Sequence, residues 1–546
     1  MHTFHNSTVY QIYIKSFCDS DGDGIGDLNG IRSKLPYVRS LGVDYIWITP
    51  FFPSPMNDNG YDISDYCAVN PMFGTMEDCE ALILEARQQG LGLMFDMVFN
   101  HTSTEHRWFQ KALTGDPEYM DYYIFRDPVD GREPTNWVSK FGGSAWEYVP
   151  HLGKYYLHLF DVTQADLNWE NPRVREELKN VIRFWKGKGV SGFRFDVVNL
   201  ISKPPVFEDD HEGDGRRMYT DGPRVHEFLQ ELVADTGIGS MVTVGEMSST
   251  SLDNCIRYTR PADHELSMAF SFHHLKVDYA GGDKWALKAP DLPQLGEIFR
   301  TWQEGMQEGG GWNAVFWCNH DQPRSVSRFG DDGRCWKESA KMLAMLIHMM
   351  RGTPYIYQGD ELGITDPGYA GIDEYRDVES LNYYRILLER GLTEAEAFEV
   401  ISRRSRDNGR TPMQWDGTDK AGFTTGEPWI GIPANHTYIN AASEEEDPDS
   451  ILHFYRTLTS LRKEYAVIAE GDIRFLAAGA DGVIAYERSL HGQVLTVVCN
   501  MTAAEVPCAP GLREGCCLLT NYPEDATDEA ASVLRPFEAA AYLRNK

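Results

Sequence analysis

The sequence predicts an α/β fold: a TIM (β/α)8 barrel in which eight parallel strands alternate with helices. Strands that are buried on both faces read as continuous apolar runs rather than as alternating patterns. Eight such runs occur, at Val9 to Phe17, Tyr45 to Thr49, Leu91 to Val98, Gly192 to Val197, Met241 to Glu246, Leu266 to Phe272, Asn313 to Asn319 and Pro354 to Gln358. Strand runs separated by helical patterns indicate a parallel sheet, and eight repeats indicate that the sheet closes into a barrel.

Amphipathic stretches lie between these runs and carry signals for helix ends. The stretch from Met76 to Gln89 is followed by Gly90, a residue typical of the position just after a helix. Another stretch begins at Asn171-Pro172, a cap residue followed by proline at the first helical position, and continues to about Lys188. Both segments are therefore predicted to be helices of the β/α repeat.

Length and pattern predict further domains around the barrel. A chain of 546 residues is too long for one core and indicates two to four domains. Residues 1–99 and 170–466 are assigned to the barrel, with a helical insertion at about 377–408. Residues 100–169, rich in Trp, Tyr, Gly and Pro, are predicted to form a small irregular domain over the barrel mouth, here called domain B. Short alternating strands in residues 467–546 predict a C-terminal antiparallel β-sandwich.

Charge and cysteine content narrow the classes of partner. The net charge of −31 argues against nucleic acid or an anionic membrane, and an anionic substrate would need a local cluster of Lys or Arg. The apolar stretch at 342–350 is too short to span a bilayer, and the N-terminus lacks the pattern of a signal peptide. Ten cysteines without paired spacing predict reduced thiols, with Cys516 and Cys517 in a strand. We expect a cytoplasmic protein that is a monomer or a weak oligomer.

Four carboxylates that close apolar runs predict an active site. Asp96, Asp196, Glu246 and Asp321 each stand at or near the end of a predicted strand. The C-terminal ends of barrel strands lie on one face, where catalytic groups collect. Acids that converge on one pocket provide the paired carboxylates that glycoside hydrolysis requires. The alternative, structural acids held in salt bridges, accounts less well for four such positions together.

Neighbouring residues differentiate these acids. Arg194 lies two residues before Asp196, on the same face of one strand, where it favours an ionised carboxylate suited to nucleophilic attack. Glu246 closes an almost wholly apolar strand, and apolar surroundings favour the protonated carboxyl that a general acid needs. His320, directly before Asp321, can hydrogen-bond a sugar hydroxyl.

A loop after the first strand resembles the front half of an EF-hand calcium loop. Counted from Asp19, oxygen-bearing side chains fall at positions 1, 3, 5 and 9, a glycine at 6 and a backbone carbonyl at 7. The loop departs at position 12, where Gly30 replaces the bidentate glutamate. We expect a hard divalent ion, Ca²⁺, in a structural role, with a metal-free acidic turn as the alternative. No organic cofactor is expected.

Longer motifs resemble the α-amylase superfamily, a family of retaining glycoside hydrolases. DMVFNH, GFRFDVVN, VGEM and NHD are similar to its four signature regions, and QADLN to an additional region at the end of domain B. SPMNDNGYDISDY and RDNGRTPMQW resemble the oligo-1,6-glucosidase subfamily. Two departures are mild: YIKSF stands where relatives often have proline after the tyrosine, and Ala165 stands where many have proline. The resemblance covers nearly the whole chain and implies a barrel, a domain B and a β-sandwich.

The resemblance also implies residue roles. Asp196 would be the nucleophile, Glu246 the general acid/base and Asp321 the transition-state stabiliser. The sugar in the −1 subsite would be bound by Asp58, Tyr61, Asp96, His101, Arg194, His320 and Arg410. Asp58 and Arg410 would block that end and make the enzyme exo-acting. Val197, directly after the nucleophile, resembles members that prefer linkages other than α-1,4. Calcium would be held by Asp19, Asp21, Asp23, Ile25 and Asp27.

Further stretches resemble the members of this subfamily that hydrolyse trehalose 6-phosphate to glucose and glucose 6-phosphate. They are GEMSSTSLDNCIRY, ELSMAFSFHHLKVDYAGGDKW and WCNHDQPR. A sugar phosphate substrate needs cations in an acidic protein, and Lys276 and Lys284 in the loop after the sixth strand are the candidates. Their alternative interpretation is as solvated loop lysines.

Three other functions remain open. An oligo-1,6-glucosidase acting on neutral isomalto-oligosaccharides would share every acid named above. A sucrose isomerase would yield isomaltulose rather than free hexoses. The amylase-like heavy subunits of amino-acid transporters are non-catalytic, but they carry a membrane span and lack the full set of acids.

Overall fold

A computed structural model describes residues 4–522 and 532–545 of the chain. The remaining residues, which belong to the predicted first barrel segment and C-terminal domain, lie outside the described residues. The strands, in chain order, are β1 (Val9–Ile12), β2 (Tyr45–Ile48), β3 (Gly92–Met97), β4 (His101–Ser103), β5 (Phe125–Arg126), β6 (Trp146–Val149), β7 (Lys154–Leu157), β8 (Gln164–Asp166), β9 (Gly192–Phe195), β10 (Val242–Met247), β11 (Met268–Ser271), β12 (Asn313–Val315), β13 (Thr353–Tyr357), β14 (Asp472–Ala478), β15 (Val483–Leu490), β16 (Gln493–Asn500), β17 (Val506–Pro507), β18 (Cys516–Thr520), β19 (Val533–Leu534) and β20 (Ala539–Asn545).

Helices fill the intervals between the strands. In chain order they are α1 (Leu28–Ser40), α2 (Met76–Gln88), α3 (Arg107–Leu113), α4 (Pro117–Met120), α5 (Pro172–Lys188), α6 (Arg216–Tyr219), α7 (Val225–Thr236), α8 (Leu252–Thr259), α9 (Leu292–Gly309), α10 (Ser325–Phe329), α11 (Trp336–His348), α12 (Val378–Glu389), α13 (Glu394–Arg404), α14 (Ala441–Glu446), α15 (Ile451–Glu464) and α16 (Ala466–Glu470). Among them, none combines the length and the apolar character that a bilayer-crossing helix requires.

The predicted barrel is confirmed. Eight parallel strands close in the order β1-β13-β12-β11-β10-β9-β3-β2, and they correspond one to one with the eight apolar runs. The predicted helix ends are confirmed as well. Helix α5 begins at the Asn171 cap with Pro172 in its first turn, and it ends at Gly189 in the left-handed conformation. Helix α2 is followed by Gly90, whose φ of 76° only glycine adopts without strain.

Several strands are shorter than the apolar runs that predicted them. Strand β1 ends at Ile12 and β12 at Val315, whereas the runs continue to Phe17 and Asn319. The extra residues are apolar because they are buried outside the sheet: Trp317, for example, is 5% exposed and donates its indole N–H to the carbonyl of Leu343. An apolar run therefore indicates that its residues are buried. The strand itself ends where the backbone stops hydrogen-bonding to the neighbouring strands.

Domain B is built from short strands, as its irregular sequence indicated. A three-stranded antiparallel sheet has the order β5-β7-β6, and β4 pairs with β8. Its own core contains Trp137, Trp146 and Leu157 together with Tyr219, which comes from the barrel segment after β9. This shared core fixes domain B against the mouth of the barrel.

The helical insertion and the C-terminal domain complete the chain. Helices α12 and α13 form the insertion expected after the eighth barrel strand. The antiparallel C-terminal domain is confirmed: a five-stranded sheet has the order β14-β15-β16-β20-β18, and the β17-β19 pair packs on it through Val506 and Leu534. Cys516 and Cys517 lie in β18, the strand position expected for them.

A buried arginine attaches this domain to the barrel. Arg488 of β15 is fully buried and donates to the carbonyl oxygen of Met349, which follows α11, and to those of Ile468 and Gly471. Arg462 of α15 is a second buried arginine, and it donates to backbone carbonyls of the barrel segment itself, including that of His348 at 3.4 Å. Burial lowers the pKa of each guanidinium to about 9, so the hydrogen bonds to carbonyls compensate only part of the desolvation cost.

Candidate active site

A cavity of about 660 Å³ opens at the barrel mouth, between the barrel, domain B and the helical insertion. The barrel contributes Asp196, Glu246 and Asp321 to its wall, and domain B contributes Lys140 and Phe160. Other lining residues include Asp58, Tyr61, His101, Val197, Arg216, Ser248, Ser249, Lys276, Lys284, Glu379 and Arg406. The cavity thus brings together the three acids that the sequence selected as catalytic.

Arg194 lies at the centre of the acid cluster. Asp96 in β3 is directly opposite Arg194 in β9 in the barrel register, and their side chains form a 2.7 Å ion pair. The same nitrogen, Nη1, lies 2.7 Å from Asp196, the residue that follows β9. The second terminal nitrogen contacts Glu246 near the end of β10. One fully buried guanidinium therefore holds three carboxylates from three neighbouring strands.

Asp96 sits below the other acids and is fully enclosed. The indole of Trp47 and the hydroxyl of Tyr61 each donate to its Oδ2 at 3.0 Å. Burial raises the pKa of Asp96 to about 7, because the attraction of Arg194 is offset by the neighbouring Asp196. Because Asp96 hydrogen-bonds both Tyr61 and Arg194, its carboxylate fixes the orientation of these two side chains.

Asp321 lies across the cavity in a positively charged environment. Arg410 donates to its Oδ1 at 2.8 Å, Arg406 approaches to 3.4 Å, and His320 Nε2 lies 3.3 Å from Oδ2. Burial opposes ionisation, but the charges of Arg406 and Arg410 outweigh it and hold the pKa of Asp321 well below its usual range. Burial lowers the pKa of His320 itself to about 3, so the imidazole is neutral and the arginines supply the charge.

His320 is fixed by packing on both faces. Its ring stacks on Tyr61 with centroids 5.0 Å apart and an interplanar angle of 3°, and Tyr13 lies on the other side at 6.2 Å. Gln11 of β1 hydrogen-bonds its Nδ1 at 2.8 Å. The Nε2 atom therefore points towards Asp321 in one defined orientation.

Asp58 closes one end of the cavity together with Arg406. Arg406 Nη2 lies 2.8 Å from Asp58 Oδ1, and Gln164 donates to Oδ2 at 3.0 Å. Burial raises the pKa of Asp58 to about 7 in spite of Arg406 and Arg410. The sequence singled out Arg410 as the partner of Asp58, but Arg410 binds the carbonyl of His320 and the carboxylate of Asp321 instead.

The two loop lysines differ in their surroundings. Lys284 Nζ lies 2.6 Å from a carboxylate oxygen of Glu379, on α12, so its charge is already compensated. Lys276 Nζ is 3.4 Å from the hydroxyl of Ser249. Lys140 of domain B, which the sequence analysis did not select, lies 2.9 Å from the hydroxyl of Ser248.

The acidic loop at residues 19–27 is folded around its own carboxylates. Oxygens of Asp19, Asp21 and Asp27 lie within 4.8 Å of one another. Asp19 accepts backbone N–H groups of Gly22 and Gly24 at 2.7 and 2.8 Å, while Asp27 caps α1 at the amide of Gly30. The three carboxylates are close enough together to share one cation. Asp23 and the carbonyl of Ile25, the other predicted ligands, belong to the same loop.

Arg406 and Lys140 line the cavity but were not predicted from the sequence, for different reasons. Arg406 stands in RDNGRTPMQW, four residues before Arg410, and the sequence alone does not say which guanidinium faces Asp58. Lys140 lies in an irregular part of domain B without any periodic pattern. Only the folded chain brings it to the cavity.

The barrel, the domain inserted above it and the acid-lined cavity define a barrel enzyme that acts on carbohydrates. The sequence matches the alpha amylase catalytic-domain family over residues 11–471, and the chain belongs to this family of glycoside hydrolases.

Full-length relatives refine this assignment. The trehalose-6-phosphate hydrolase of Bacillus subtilis (strain 168) is 51% identical, with 99% of this chain and 98% of the relative covered. The oligo-1,6-glucosidase of Parageobacillus thermoglucosidasius is 45% identical, with 98% of each covered. Among solved structures, a mutant form of Bacillus licheniformis trehalose-6-phosphate hydrolase superposes with a TM-score of 0.96 at 50% identity, with both chains fully covered. A mutant of isomaltulose synthase from Erwinia rhapontici NX5 gives the same TM-score at 38% identity, also with full coverage.

Proposed function

We propose that this enzyme is a retaining, exo-acting α-glucosidase that hydrolyses trehalose 6-phosphate to glucose and glucose 6-phosphate. The observation that carries the proposal is a single cavity lined both by Asp196, Glu246 and Asp321 and by the ammonium groups of Lys140 and Lys276. A neutral disaccharide does not need these cations, whereas a phosphorylated one does. The similarity to trehalose-6-phosphate hydrolases over the whole chain supports the same substrate.

The proposed reaction is a double displacement. Asp196 attacks the anomeric carbon while Glu246 protonates the departing oxygen, which gives a covalent glucosyl-enzyme and free glucose 6-phosphate. Glu246 then takes a proton from water, and the water oxygen attacks the anomeric carbon and releases Asp196. Arg194 contacts both carboxylates, so the two acids lie beside one guanidinium. The apolar surroundings expected for Glu246 are therefore wrong, because the Arg194 charge favours the ionised form of the carboxyl that has to donate the proton. A retaining enzyme needs carboxyl groups about 5–5.5 Å apart.

Asp321 is proposed to stabilise the transition state and to hold the sugar. Its low pKa keeps it ionised throughout the working range, so it can accept hydroxyl hydrogen bonds and offset positive charge at the anomeric carbon. His101 and Tyr61 line the cavity beside these acids and are proposed to bind the sugar in the −1 subsite. His320 is fully buried and contacts Asp321, and Asp96 supports the subsite through Arg194 and Tyr61.

Exo-action follows from the closed end of the cavity. The Asp58–Arg406 pair is proposed to block the position of a further sugar beyond the −1 subsite. Asp377 contacts both Arg406 and Arg410, so Arg410 supports the pair through Asp377. A terminal glucose can fit against this wall, but an internal unit of a polysaccharide cannot.

We infer that the acidic loop binds Ca²⁺ in a structural role. Three of the five predicted ligand residues already converge, and in the described part of the chain no Lys or Arg nitrogen lies within 4 Å of their carboxylates. Burial and the repulsion of Asp21, Asp19 and Asp27 raise the pKa of Asp23, which a bound cation would reverse. Asp19, Asp21, Asp23 and Asp27, with the Ile25 carbonyl, would supply hard oxygen ligands suited to this ion.

A cytoplasmic location is part of the proposal. Sugar phosphates are charged and do not cross a bilayer unaided, so an enzyme that consumes one belongs on the side where it is made.

An oligo-1,6-glucosidase acting on neutral isomalto-oligosaccharides is the second candidate. The pairing of Lys284 with Glu379 favours it, because this pair removes one of the two cations expected at the phosphate. Relatives with that name are 44–45% identical to this chain over nearly its full length.

One comparison of substrates separates the candidates. Glucose and glucose 6-phosphate release is measured from trehalose 6-phosphate, and glucose release from isomaltose, with Asp196→Asn as the inactive control. We expect kcat/KM for trehalose 6-phosphate to exceed that for isomaltose by at least about 100-fold, the effect of charge-assisted contacts to a phosphate. Equal or higher efficiency on isomaltose would refute the proposed substrate, and isomaltulose formed from sucrose would indicate an isomerase.

A further inference from the structure

A group of cations forms one side of the cavity rim, and its members come from three separate segments of the chain. Lys140 belongs to domain B, Lys276 to the loop after β11, and Arg216 to the short helix α6. Lys140 and Lys276 meet on neighbouring residues: the ammonium groups lie 2.9 Å from Ser248 Oγ and 3.4 Å from Ser249 Oγ. The fold therefore gathers positive charge at a single point of a protein whose net charge is −31.

This positive charge lacks a matching anion. Within residues 4–522 and 532–545, no carboxylate oxygen lies within 4 Å of the Lys140 or Lys276 ammonium, whereas Arg216 is paired with Asp214 and Lys284 with Glu379. Burial, reinforced by Arg216 and Lys276, lowers the pKa of Lys140 to about 7. Partly buried cations of this kind are stabilised by an anion that arrives from outside.

The location of the cluster relates it to the proposed acid catalyst. Ser248 and Ser249 directly follow β10, the strand that carries Glu246. Glu246 would protonate the leaving sugar, so groups just beyond it face the +1 subsite rather than the −1 subsite. The two serine hydroxyls accept hydrogen bonds from the lysines and keep their own O–H groups for a ligand oxygen.

We propose that Lys140, acting with Lys276 and the hydroxyls of Ser248 and Ser249, binds the phosphate monoester of the leaving glucose 6-phosphate. Lys140 is thereby a specificity-determining residue, and the inference rests on the proposed function. Lys284, by contrast, acts through its ion pair with Glu379, which joins the loop after β11 to helix α12.

The test replaces Lys140 by methionine, which keeps the length of the side chain and removes the charge. For wild type and variant, kcat/KM is measured with trehalose 6-phosphate and with the neutral p-nitrophenyl α-glucoside, and the ratio of the two values is the readout. We expect Lys140→Met to lower this ratio by about 10- to 100-fold, the worth of one charge-assisted hydrogen bond. The loss should appear mainly in KM, and Lys140→Arg should recover part of it.

Lys154→Met is the matched control. Lys154 belongs to the same domain and its ammonium pairs with Asp127, so its removal should leave the substrate ratio within about twofold of wild type. Inorganic phosphate and glucose 6-phosphate are also titrated as inhibitors of p-nitrophenyl α-glucoside hydrolysis. Both should inhibit wild type more strongly than Lys140→Met, which provides a second measurement that does not depend on cleavage of the phosphorylated substrate.

The outcomes distinguish the two proposals. If wild type prefers trehalose 6-phosphate and Lys140→Met keeps both that preference and the sensitivity to glucose 6-phosphate, the role of Lys140 is refuted while the proposed function stands. If the variant loses activity equally on both substrates, Lys140 supports the fold and its phosphate role is again refuted. If wild type has no preference for trehalose 6-phosphate over isomaltose, the proposed function itself fails.

Discussion

Replacing Asp58 by asparagine should change the pH dependence of stability. Asp58 is 3% exposed and competes with three other acids for two arginines. The four carboxylates belong to Asp58, Asp321, Asp377 and Glu379. Arg406 contacts all of them, whereas Arg410 contacts only those of Asp321 and Asp377. Since the positive charge is shared, Asp58 stays undercompensated, and burial raises its pKa from 3.8 to about 7.

The size of the effect follows from proton linkage. Because the folded pKa is raised, the stabilisation from the bound proton is complete below pH 3.8 and is lost as the pH rises through 7. At about 1.4 kcal/mol for each tenfold difference in proton affinity, ionised Asp58 costs the folded state about 4 kcal/mol above pH 7. About 2–3 kcal/mol of this cost develops between pH 5 and pH 8. Asparagine carries no charge at either pH, so the variant avoids that part of the loss.

Urea denaturation at pH 5 and pH 8 measures the effect. The free energy of unfolding of Asp58→Asn minus that of wild type should rise by about 2–3 kcal/mol between the two pH values. Asp65→Asn is the control, because Asp65 lies in the same loop but is exposed, and the variant measures the effect of removing one carboxylate at the surface. A difference for Asp58→Asn that is constant from pH 5 to pH 8 would show that Asp58 is already ionised at pH 5, against the argument from shared charge.

Three further predictions concern catalysis, calcium and the domain contact. Asp196→Ala should lower kcat for p-nitrophenyl α-glucoside by about 10⁴-fold or more, because no covalent intermediate can form; rescue by added azide would identify the lost nucleophile, and a loss below tenfold would exclude that role. Removal of bound ions with EDTA should lower Tm and added Ca²⁺ should restore it, whereas an unchanged Tm and no Ca²⁺ by metal analysis would exclude the site. Arg488→Met should lower the free energy of unfolding by about 1–3 kcal/mol, because the loss of the donor for three buried carbonyls outweighs the removal of a partly compensated buried charge, and an unchanged or higher stability would contradict the proposed attachment.

The sequence predicted those parts of the fold that depend on local patterns. A strand in a barrel is buried on both faces, so each of the eight strands left a continuous apolar run. Helix α5 was predicted from Asn171 to Lys188 because its cap, its first-turn proline and its last residues are all local signals. The lengths of β1 and β12 were overestimated for the same reason, since apolar loop residues packed outside the sheet look identical to strand residues.

Strand patterns predicted the acids of the candidate site that stand on or directly after strands, whereas Asp321 lies in the loop beyond β12 and Asp58, Tyr61 and His101 were identified through the family resemblance. Asp96 and Arg194 face each other in the barrel register, so their convergence follows from topology alone. Whether Arg406 or Arg410 pairs with Asp58 depends on the path of a loop far along the chain. A repeating pattern of apolar residues does not predict the path of a loop. Lys140 depends on how domain B folds back over the barrel, and that arrangement is set by a tertiary core around Trp137.

The charges of the cavity and of the whole protein together give a reason for the position of the cations. With a net charge of −31, the protein repels a sugar phosphate at long range, and screening confines that repulsion to about 8–10 Å. Inside the cavity the acid cluster around Arg194 repels the phosphate as well, whereas the ammonium groups of Lys140 and Lys276 attract it. A substrate with one charged end therefore has one favourable orientation, with the phosphate at the rim and the unmodified glucose against the acids.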